Sequence, residues 1–434
     1  MRISTPRVST IDGISTVTAD VESVNYTGEL WFRMPEGIHP SQTAAADAVF
    51  PFGLILSMST DQKLELEAPV SSVLLANSDL VQKIFSTWYP DTMELTQVNC
   101  QERVAEPTGQ LAARGAMSTF TGGVDSFYTL SHAPGITDLL YVNGYDLPLD
   151  KVELWDLVRQ SLSDAAADIG KRLFIVETNL KRDFLHNRQA WGRISYGACI
   201  TSVAHLLSEQ VSDFHLAGSH TYLELYPRGS HALLDPLWST DRLRVHHHGA
   251  DMTRVKKTLA LIDDPVAQKH LRVCLRRTDR INCGRCEKCY RTKTTLLLAG
   301  VLDKFQVFDQ TVNPSVIAAR EVKNEATFSF LLEMRDFAKS KGNAEIEKAL
   351  STAIKRYQKH ESDAEPLAAL ETAKRNVAAA NAEVATANAQ TTVALQRAQA
   401  AEKELARLRS SRSWRWTAPL RKVKARSRAK QVSA

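Results

Sequence analysis

Cysteine and long apolar segments are both scarce in this chain. Six cysteines occur in 434 residues, and no apolar run is long enough to cross a bilayer. The first residues lack the apolar stretch of a secretory signal, so we expect a reducing, cytoplasmic compartment in which thiols bind metal rather than form disulfides. The length suits two or three domains, and the composition is that of an ordinary globular protein.

Acidic residues are absent from the end of the chain. Residues 409–434 contain nine Lys or Arg and no Asp or Glu. Subtracting these nine from the 54 basic residues leaves 45 against 49 acidic ones, so the rest of the chain is mildly acidic. The formal charge of +5 therefore belongs to the tail, and binding of nucleic acid over a broad face is not expected.

A glycine-rich loop is the most informative local motif. The sequence FTGGVDS at 120–126 follows a short apolar strand and leads into a helix predicted to open at Ser126. Gly122 and Gly123 let backbone N–H groups approach an anion closely, and the helix start adds partial positive charge. Thr121 and Ser126 supply hydroxyl donors. No lysine follows the glycines, so the motif is not a Walker-type phosphate loop. The alternative to an anion-binding loop is a plain glycine turn between a strand and a helix.

Four of the six cysteines form a second motif, C-x8-C-x2-C-x2-C. Four thiolates at this spacing surround one Zn²⁺ tetrahedrally, and Gly284 eases the turn between them. A disulfide or a redox C-x-x-C pair is the alternative, but three cysteines at two-residue spacing fit neither well. We expect a structural zinc, because four cysteines leave no open coordination position. The predicted ligands are Cys274, Cys283, Cys286 and Cys289.

The glycine loop resembles the S-G-G-x-D-S loop of the PP-loop ATP pyrophosphatases, with Thr121 in place of the usual serine. Together with the cysteine motif, the region from Ala116 to Leu302 resembles the 7-cyano-7-deazaguanine synthase family of PP-loop enzymes. The resemblance implies ATP with its pyrophosphate in the loop, Mg²⁺ to neutralise the phosphates, and cleavage between the α- and β-phosphates. It implies catalytic roles for Asp125 and Ser126. The implied ATP contacts in the loop are Thr121, Gly122, Gly123, Val124, Asp125 and Ser126.

From Ala116 onward, apolar strands alternate with helices. This pattern predicts a Rossmann-like α/β fold, with a parallel sheet covered by helices on both faces. Ligands bind at the carboxyl ends of such strands, so the polar residues that follow each strand are candidates. They are Asn143, Gly144 and Asp146, then Glu177, Thr178, Asn179 and Arg182, then Gly218, Ser219 and His220.

Four of these candidates join the predicted ATP site. Asn143 and Gly144 follow the second strand, where the resembling proteins receive adenosine, although Asn-Gly is also an ordinary turn signal. Thr178 and Arg182 follow the third strand. Arg182 could clamp a phosphate or carboxylate, or it could be a solvated helix residue. No metal site is predicted at His246–His248, because consecutive strand residues point to opposite faces.

The pattern along the chain predicts five segments. An α/β or β-rich module at 1–113 precedes the ATP-binding domain with its zinc knuckle at 114–303. A helical region follows at 304–360. An alanine-rich coiled coil or long helix is predicted at 361–408 from apolar residues at seven-residue intervals, with a solitary, frayed helix as the alternative. The basic Trp/Arg tail at 409–434 completes the chain.

The tail Ser411–Arg421 looks like the S-x-S-W-R-x-T-x-P-L-R tails of bacterial glycosyltransferases and methyltransferases of surface-polysaccharide assembly. It predicts attachment to an anionic membrane surface at the inner face of the membrane, or to a polysaccharide-assembly partner. The coiled coil predicts a homo-oligomer.

These motifs favour an ATP-dependent, AMP-forming ligase. Such an enzyme adenylates a carboxylate or amide oxygen of a small-molecule or sugar substrate, and a nitrogen nucleophile then displaces AMP. Two alternatives stay open from the sequence. One is a tRNA-modifying PP-loop enzyme, for which Cys199 is the only thiol available in the domain besides the four predicted zinc ligands. The other is a non-catalytic nucleotide-binding scaffold.

Overall fold

A computed structural model describes residues 1–104, 114–185, 191–274, 280–322 and 324–359. Met1–Lys355 form one compact unit. The predicted coiled coil and the basic tail lie outside the described residues. None of the helices in the described ranges has the length and apolar character needed to cross a membrane.

Most strands in the described ranges belong to one mixed sheet of eleven strands. The strands are β1 Arg2–Ile3, β2 Arg7–Ile11, β3 Ile14–Glu22, β4 Thr27–Arg33, β5 Leu64–Leu66, β6 Val70–Ser71, β7 Val98–Asn99, β8 Glu102–Arg103, β9 Ala116–Thr119, β10 Ile136–Asn143, β11 Arg172–Thr178, β12 Asp213–Ala217 and β13 Arg244–His248. The order in the large sheet is β13-β12-β9-β10-β11-β4-β3-β1-β5-β7, and β2 pairs with β3. The two remaining strands, β6 and β8, pair with each other.

Helices fill the connections. A π-helical turn lies at Trp191–Ser195, and short 3₁₀ turns lie at Asp235–Trp238 and Leu302–Lys304. The α-helices are α1 Gln42–Ser59, α2 Ser72–Trp88, α3 Val124–His132, α4 Val152–Ile169, α5 Leu180–Phe184, α6 Tyr196–His205, α7 Arg254–Leu259, α8 Pro265–His270, α9 Glu287–Leu298, α10 Pro314–Ala318, α11 Glu325–Ser340 and α12 at 344–359.

Strand β10 is buried on both faces. Leu140 and Val142 pack into one apolar core, which also contains residues of α1 and α6. Leu139 and Tyr141 pack into a second core with residues of α4. Alternate strand residues point to opposite faces, so helices cover both faces of the sheet here. The prediction of an α/β fold is confirmed.

The sheet differs from the prediction in being only partly parallel. Strands β13, β12, β9, β10 and β11 run parallel, and β4 then pairs antiparallel with β11. This contact joins Glu177 to Arg33 and Thr178 to Phe32. Strands of the first hundred residues therefore extend the same sheet, while the predicted domain boundaries stay predictions.

One predicted helix start was wrong by two residues. Helix α3 begins at Val124 rather than Ser126, because Gly123 has extended dihedrals (φ −84°, ψ 169°) and acts as its N-cap. Helix α7 is capped by Thr253, whose side chain accepts the Lys256 N–H.

Candidate functional site

A cavity of about 410 Å³ opens beside the glycine loop, at the carboxyl ends of β9 and β12. This is the edge at which α/β sheets bind ligands, and the volume is in the range of small-molecule sites. The described residues that line it include six basic side chains and two acidic ones. The basic ones are Lys181, Arg228, Arg254, Arg272, Arg280 and Lys288, and the acidic ones are Asp125 and Asp146.

The glycine loop is held in shape by Arg272. Its backbone N–H donates to the Gly122 carbonyl at 2.7 Å, and its guanidinium donates to the Thr121 carbonyl at 3.1 Å. Gly122 has a φ of +73°, and a Cβ there would lie 3.2 Å from the Arg272 Cβ. Only glycine adopts this backbone without strain. The Ser126 hydroxyl donates to the Gly123 carbonyl at 2.9 Å, within the first turn of α3.

Asp125, in the first turn of α3, contacts residues of α7 and of the segment after β12. Its carboxylate accepts hydrogen bonds from Arg254 of α7 and, at 3.0 Å, from Ser219 after β12. Lys257 lies 3.8 Å from the other carboxylate oxygen. Burial raises the pKa of Asp125, but Arg254 and Lys257 outweigh burial, and the pKa lies below its ordinary value. The carboxylate is therefore ionised at neutral pH and forms an ion pair that fixes the start of α3.

The cations around the cavity are poorly solvated. Arg254 is 6% exposed and Lys257 is fully buried. Burial lowers the pKa of Lys257, and Asp125 counters part of that effect. Burial and the nearby Arg254 and Arg291 lower the pKa of Lys288. Cations that repel each other in a half-buried cavity favour an anionic ligand of high charge.

The four predicted zinc ligands meet in one cluster. The sulfurs of Cys274, Cys283, Cys286 and Cys289 all lie within 4.8 Å of one another. A tetrahedral zinc with Zn–S bonds of about 2.3 Å needs sulfur separations of about 3.8 Å. The Cys283–Cys289 and Cys286–Cys289 separations are 4.0 Å and 3.5 Å, so the cluster fits a zinc ion.

The backbone around the cluster supports metal binding. The Cys286 and Arg285 N–H groups point at the Cys283 sulfur at 3.2 and 3.4 Å, which favours a thiolate there. Gly284 has a φ of +69°, and a Cβ there would lie 1.8 Å from an Asp309 oxygen. The turn between the cysteines therefore requires glycine, as predicted from the sequence.

The cysteine cluster forms part of the cavity wall. Cys274 and Lys288, which lie within the cysteine motif, both line the cavity. Buried Asn282 accepts the Val273 N–H at 2.9 Å and donates to the Leu271 carbonyl at 2.8 Å. These bonds hold the segment that carries Arg272. A metal in the cluster would thus stabilise the segment that shapes the glycine loop.

The structure gives the other predicted ATP contacts different surroundings. Asn143 donates to Glu177 at 2.9 Å, and a Cβ at Gly144 (φ +101°) would lie 2.2 Å from the Thr178 carbonyl. Arg182 is exposed and pairs with Asp183 at 2.5 Å. Among the described residues, none of these side chains lines the cavity.

Sequence reasoning missed most of the cavity's cations. Lys181, adjacent to Arg182, lines the cavity, whereas Arg182 points elsewhere. Arg228 lies in an irregular segment after β12, and Arg254 opens α7. A signal was available for Lys288 alone, because it lies between two cysteines of the motif.

The three adjacent histidines each bind a different partner. His246 contacts Asp213 at 2.8 Å, and His247 contacts Asp235 at 2.7 Å. His248 contacts Thr129 at 3.1 Å.

Comparison with protein families, with curated proteins and with solved structures gives no match for this chain. The function therefore has to be inferred from the chemistry of the cavity and the cysteine cluster.

Proposed function

We propose that this protein is an ATP-dependent, AMP-forming ligase of the PP-loop type. It adenylates a carboxylate or amide oxygen of a small-molecule or sugar substrate, and a nitrogen nucleophile then displaces AMP. One observation carries the proposal: the glycine loop opens into a cavity at the carboxyl ends of the sheet's parallel strands, and six cations line it among the described residues. A triphosphate is the common metabolite group that matches this charge and position.

The loop residues would bind the pyrophosphate part of ATP. Gly123 lines the cavity without a side chain, so the first N–H groups of α3 are accessible to phosphate oxygens. Thr121 and Ser126 line the same wall and bring hydroxyl groups to it. Arg254 and Arg272 add positive charge where the leaving pyrophosphate gains negative charge.

Apolar residues on another part of the lining suit the adenine ring. Leu147, Leu154 and Val158 contribute to the cavity, and the last two belong to α4. Trp191 adds an aromatic surface. A nucleotide with its pyrophosphate at the glycine loop and its adenine on these apolar residues would have its α-phosphate between the two regions.

The protein's contribution to the chemistry is positioning and electrostatic stabilisation. The substrate oxygen attacks the α-phosphorus, the bond to the bridging oxygen breaks, and the cations stabilise the departing pyrophosphate. Bound Mg²⁺ would neutralise further phosphate charge. Asp146, exposed at the cavity, fits this ion better than Asp125, whose carboxylate is already paired with Arg254.

Zinc in the cysteine cluster would be structural. The four sulfurs fill a tetrahedral shell, which leaves no position for substrate. Its effect on activity would be indirect, through Cys274 and the segment that holds Arg272.

The surroundings of Cys199 do not favour the sulfur-transfer alternative. Its side chain is 1% exposed, and burial raises its pKa far above the ordinary value. A reactive cysteine needs an accessible thiolate. Recruitment by the basic tail and oligomerisation through residues 361–408 stay part of the proposal on sequence grounds alone.

Product analysis tests the proposed reaction. The protein, ATP, Mg²⁺ and a fractionated metabolite extract are incubated, and the products are followed by phosphorus NMR. We expect AMP and pyrophosphate in equal amounts. Lys288→Gln should slow their formation, whereas Lys256→Gln, at an exposed position of α7, serves as the matched control. Formation of ADP would contradict the proposal, and so would no turnover with any fraction.

A further inference from the structure

A second, smaller cavity adjoins the cationic one. Its volume is about 70 Å³, which accommodates a group of a few heavy atoms. Four residues line both cavities, so the two spaces meet just beyond the end of β12. They are Tyr196, Ala217, Ser219 and Arg228. Because Ser219 donates to Asp125, this meeting point is close to the glycine loop.

Arg228 is the cation at the meeting point. Within the described ranges, its guanidinium takes part in no hydrogen bond or ion pair, although the residue is half-buried. Burial lowers the pKa of Arg228, and Asp125 and Asp235 act on it only from a distance. A guanidinium without a partner offers a planar fork of donors that matches a carboxylate.

The backbone around Arg228 is fixed. The Pro227 carbonyl accepts the Tyr89 hydroxyl at 2.8 Å, and the Gly229 carbonyl accepts the Gly197 N–H at 3.0 Å. A Cβ at Gly197 would lie 2.2 Å from that carbonyl, so the first turn of α6 packs directly on the segment. The guanidinium is therefore presented from a rigid position.

His231 lines the small cavity beside Arg228. Its Nδ1 accepts the Leu233 N–H at 3.0 Å, so the ring proton lies on Nε2. The Nε2–H group is buried, and the Leu225 carbonyl is its nearby acceptor. Burial and His247 lower the pKa of His231, outweighing the Leu225 carbonyl and Asp235, so the ring is neutral at pH 7. The positive charge of the small cavity therefore comes from Arg228.

The two acidic residues near Arg228 differ in whether their carboxylates already have hydrogen-bond partners. Asp235 is fully buried and already accepts from His247, from Ser230 and from the His231 backbone. It therefore leaves the Arg228 guanidinium free. Glu224 is the acidic residue of the lining, and its carboxylate disfavours a second negative charge nearby.

We propose that the small cavity is the subsite for the carboxylate of the acceptor, which is a carboxylic acid. Arg228 binds the carboxylate through two N–H donors, and the uncharged His231 ring forms part of the wall beside it. The cavity accepts the carboxylate and one or two attached carbons, and the larger cavity holds ATP. That the bound carboxylic acid is the substrate to be adenylated rests on the proposed function, whereas the existence of a carboxylate subsite does not.

Acetate is the probe for this subsite, and uncharged acetamide is its isosteric control. Binding is measured by saturation-transfer NMR, with and without saturating inorganic pyrophosphate. We expect acetate to bind at least tenfold more tightly than acetamide and to stay bound when pyrophosphate occupies the larger cavity. Acetate that does not bind, or that pyrophosphate displaces, would overturn the proposal.

Variants identify the residues responsible. Arg228→Gln should weaken acetate binding by about tenfold or more, because a charge-assisted pair is lost. Glu224→Gln, in the same cavity, should leave acetate binding unchanged or strengthen it. If Arg228→Gln does not fold, Arg228→Lys, which keeps the charge without the fork, should still bind acetate severalfold more weakly. Wild-type affinity in the folded arginine variant would refute the assignment. Pyrophosphate that fails to bind the wild-type protein would count against the proposed function only.

Discussion

Two adjacent glycines of the loop should respond to substitution in opposite ways. Gly122 has a φ of +73°, and its missing Cβ would lie 3.2 Å from the Arg272 Cβ. Gly123 has extended dihedrals, and a Cβ there would meet only the Thr121 hydroxyl at 3.5 Å and the Arg272 carbonyl at 3.7 Å. The first position is therefore constrained by the fold, and the second by what the loop binds.

For Gly122→Ala we expect a loss of stability. The left-handed backbone costs a residue with a Cβ about 1–2 kcal/mol, and the contact with Arg272 adds to this. The free energy of unfolding should fall by about 1–3 kcal/mol. Urea unfolding followed by tryptophan fluorescence measures the change.

For Gly123→Ser we expect normal stability and lost anion binding. Serine is a good N-cap, so the free energy of unfolding should change by no more than about 0.5 kcal/mol. Its hydroxyl would accept the N–H of Asp125 or Ser126, which pyrophosphate needs. Calorimetric titration should show pyrophosphate binding at least tenfold weaker, about 1.4 kcal/mol.

Each of the two variants has one result that would contradict the role given to its glycine. If Gly123→Ser binds pyrophosphate as well as the wild type, the phosphates do not lie in the loop. If Gly122→Ala is as stable as the wild type, Arg272 does not constrain the loop as described.

Further predictions address the ion pair, the metal, the buried thiol and the tail. Asp125→Asn leaves Arg254 buried without its partner and should cost about 3–5 kcal/mol in urea unfolding. The pKa of Asp125 is lowered in the folded state, so the stabilisation that its carboxylate gives should be complete above the ordinary carboxyl pKa. This stabilisation should disappear as the pH falls through the lowered pKa, and the free energy of unfolding of the variant should lack this dependence on acid. Cys283→Ser should lose the single zinc measured by elemental analysis and unfold at a lower temperature, whereas a stable metal-free wild type would contradict the zinc site. Cys199→Ala should keep full turnover, and lost turnover in a folded variant would revive the sulfur-transfer alternative. A chain that ends at Glu361 should keep its activity in solution but no longer sediment with anionic vesicles, and loss of turnover would assign the tail to the active assembly.

The sequence predicted the features that depend on local pattern. Apolar runs identified β9, β10, β11 and β12, and spacing alone identified the four sulfurs that meet in the structure. The predicted glycine turn at Gly284 also follows from local backbone geometry. These features are encoded within a few residues of each other.

Features that depend on distant contacts were not predictable in this way. The antiparallel pairing of Arg33 with Glu177 joins positions far apart in sequence, and no periodicity indicates it. Neighbouring helix residues point about 100° apart, so choosing Lys181 over Arg182 required the helix orientation. Arg228 lies in an irregular segment, where only the tertiary structure fixes the direction of its side chain.

Exchange of radiolabelled pyrophosphate into ATP tests the central claim most directly. Reversible adenylation of an acid returns labelled pyrophosphate to ATP, and this occurs only when the acid is present. We predict exchange that depends on one fraction of a metabolite extract and that disappears in Gly123→Ser. Absence of exchange with every fraction, or ADP formation without exchange, would contradict the account.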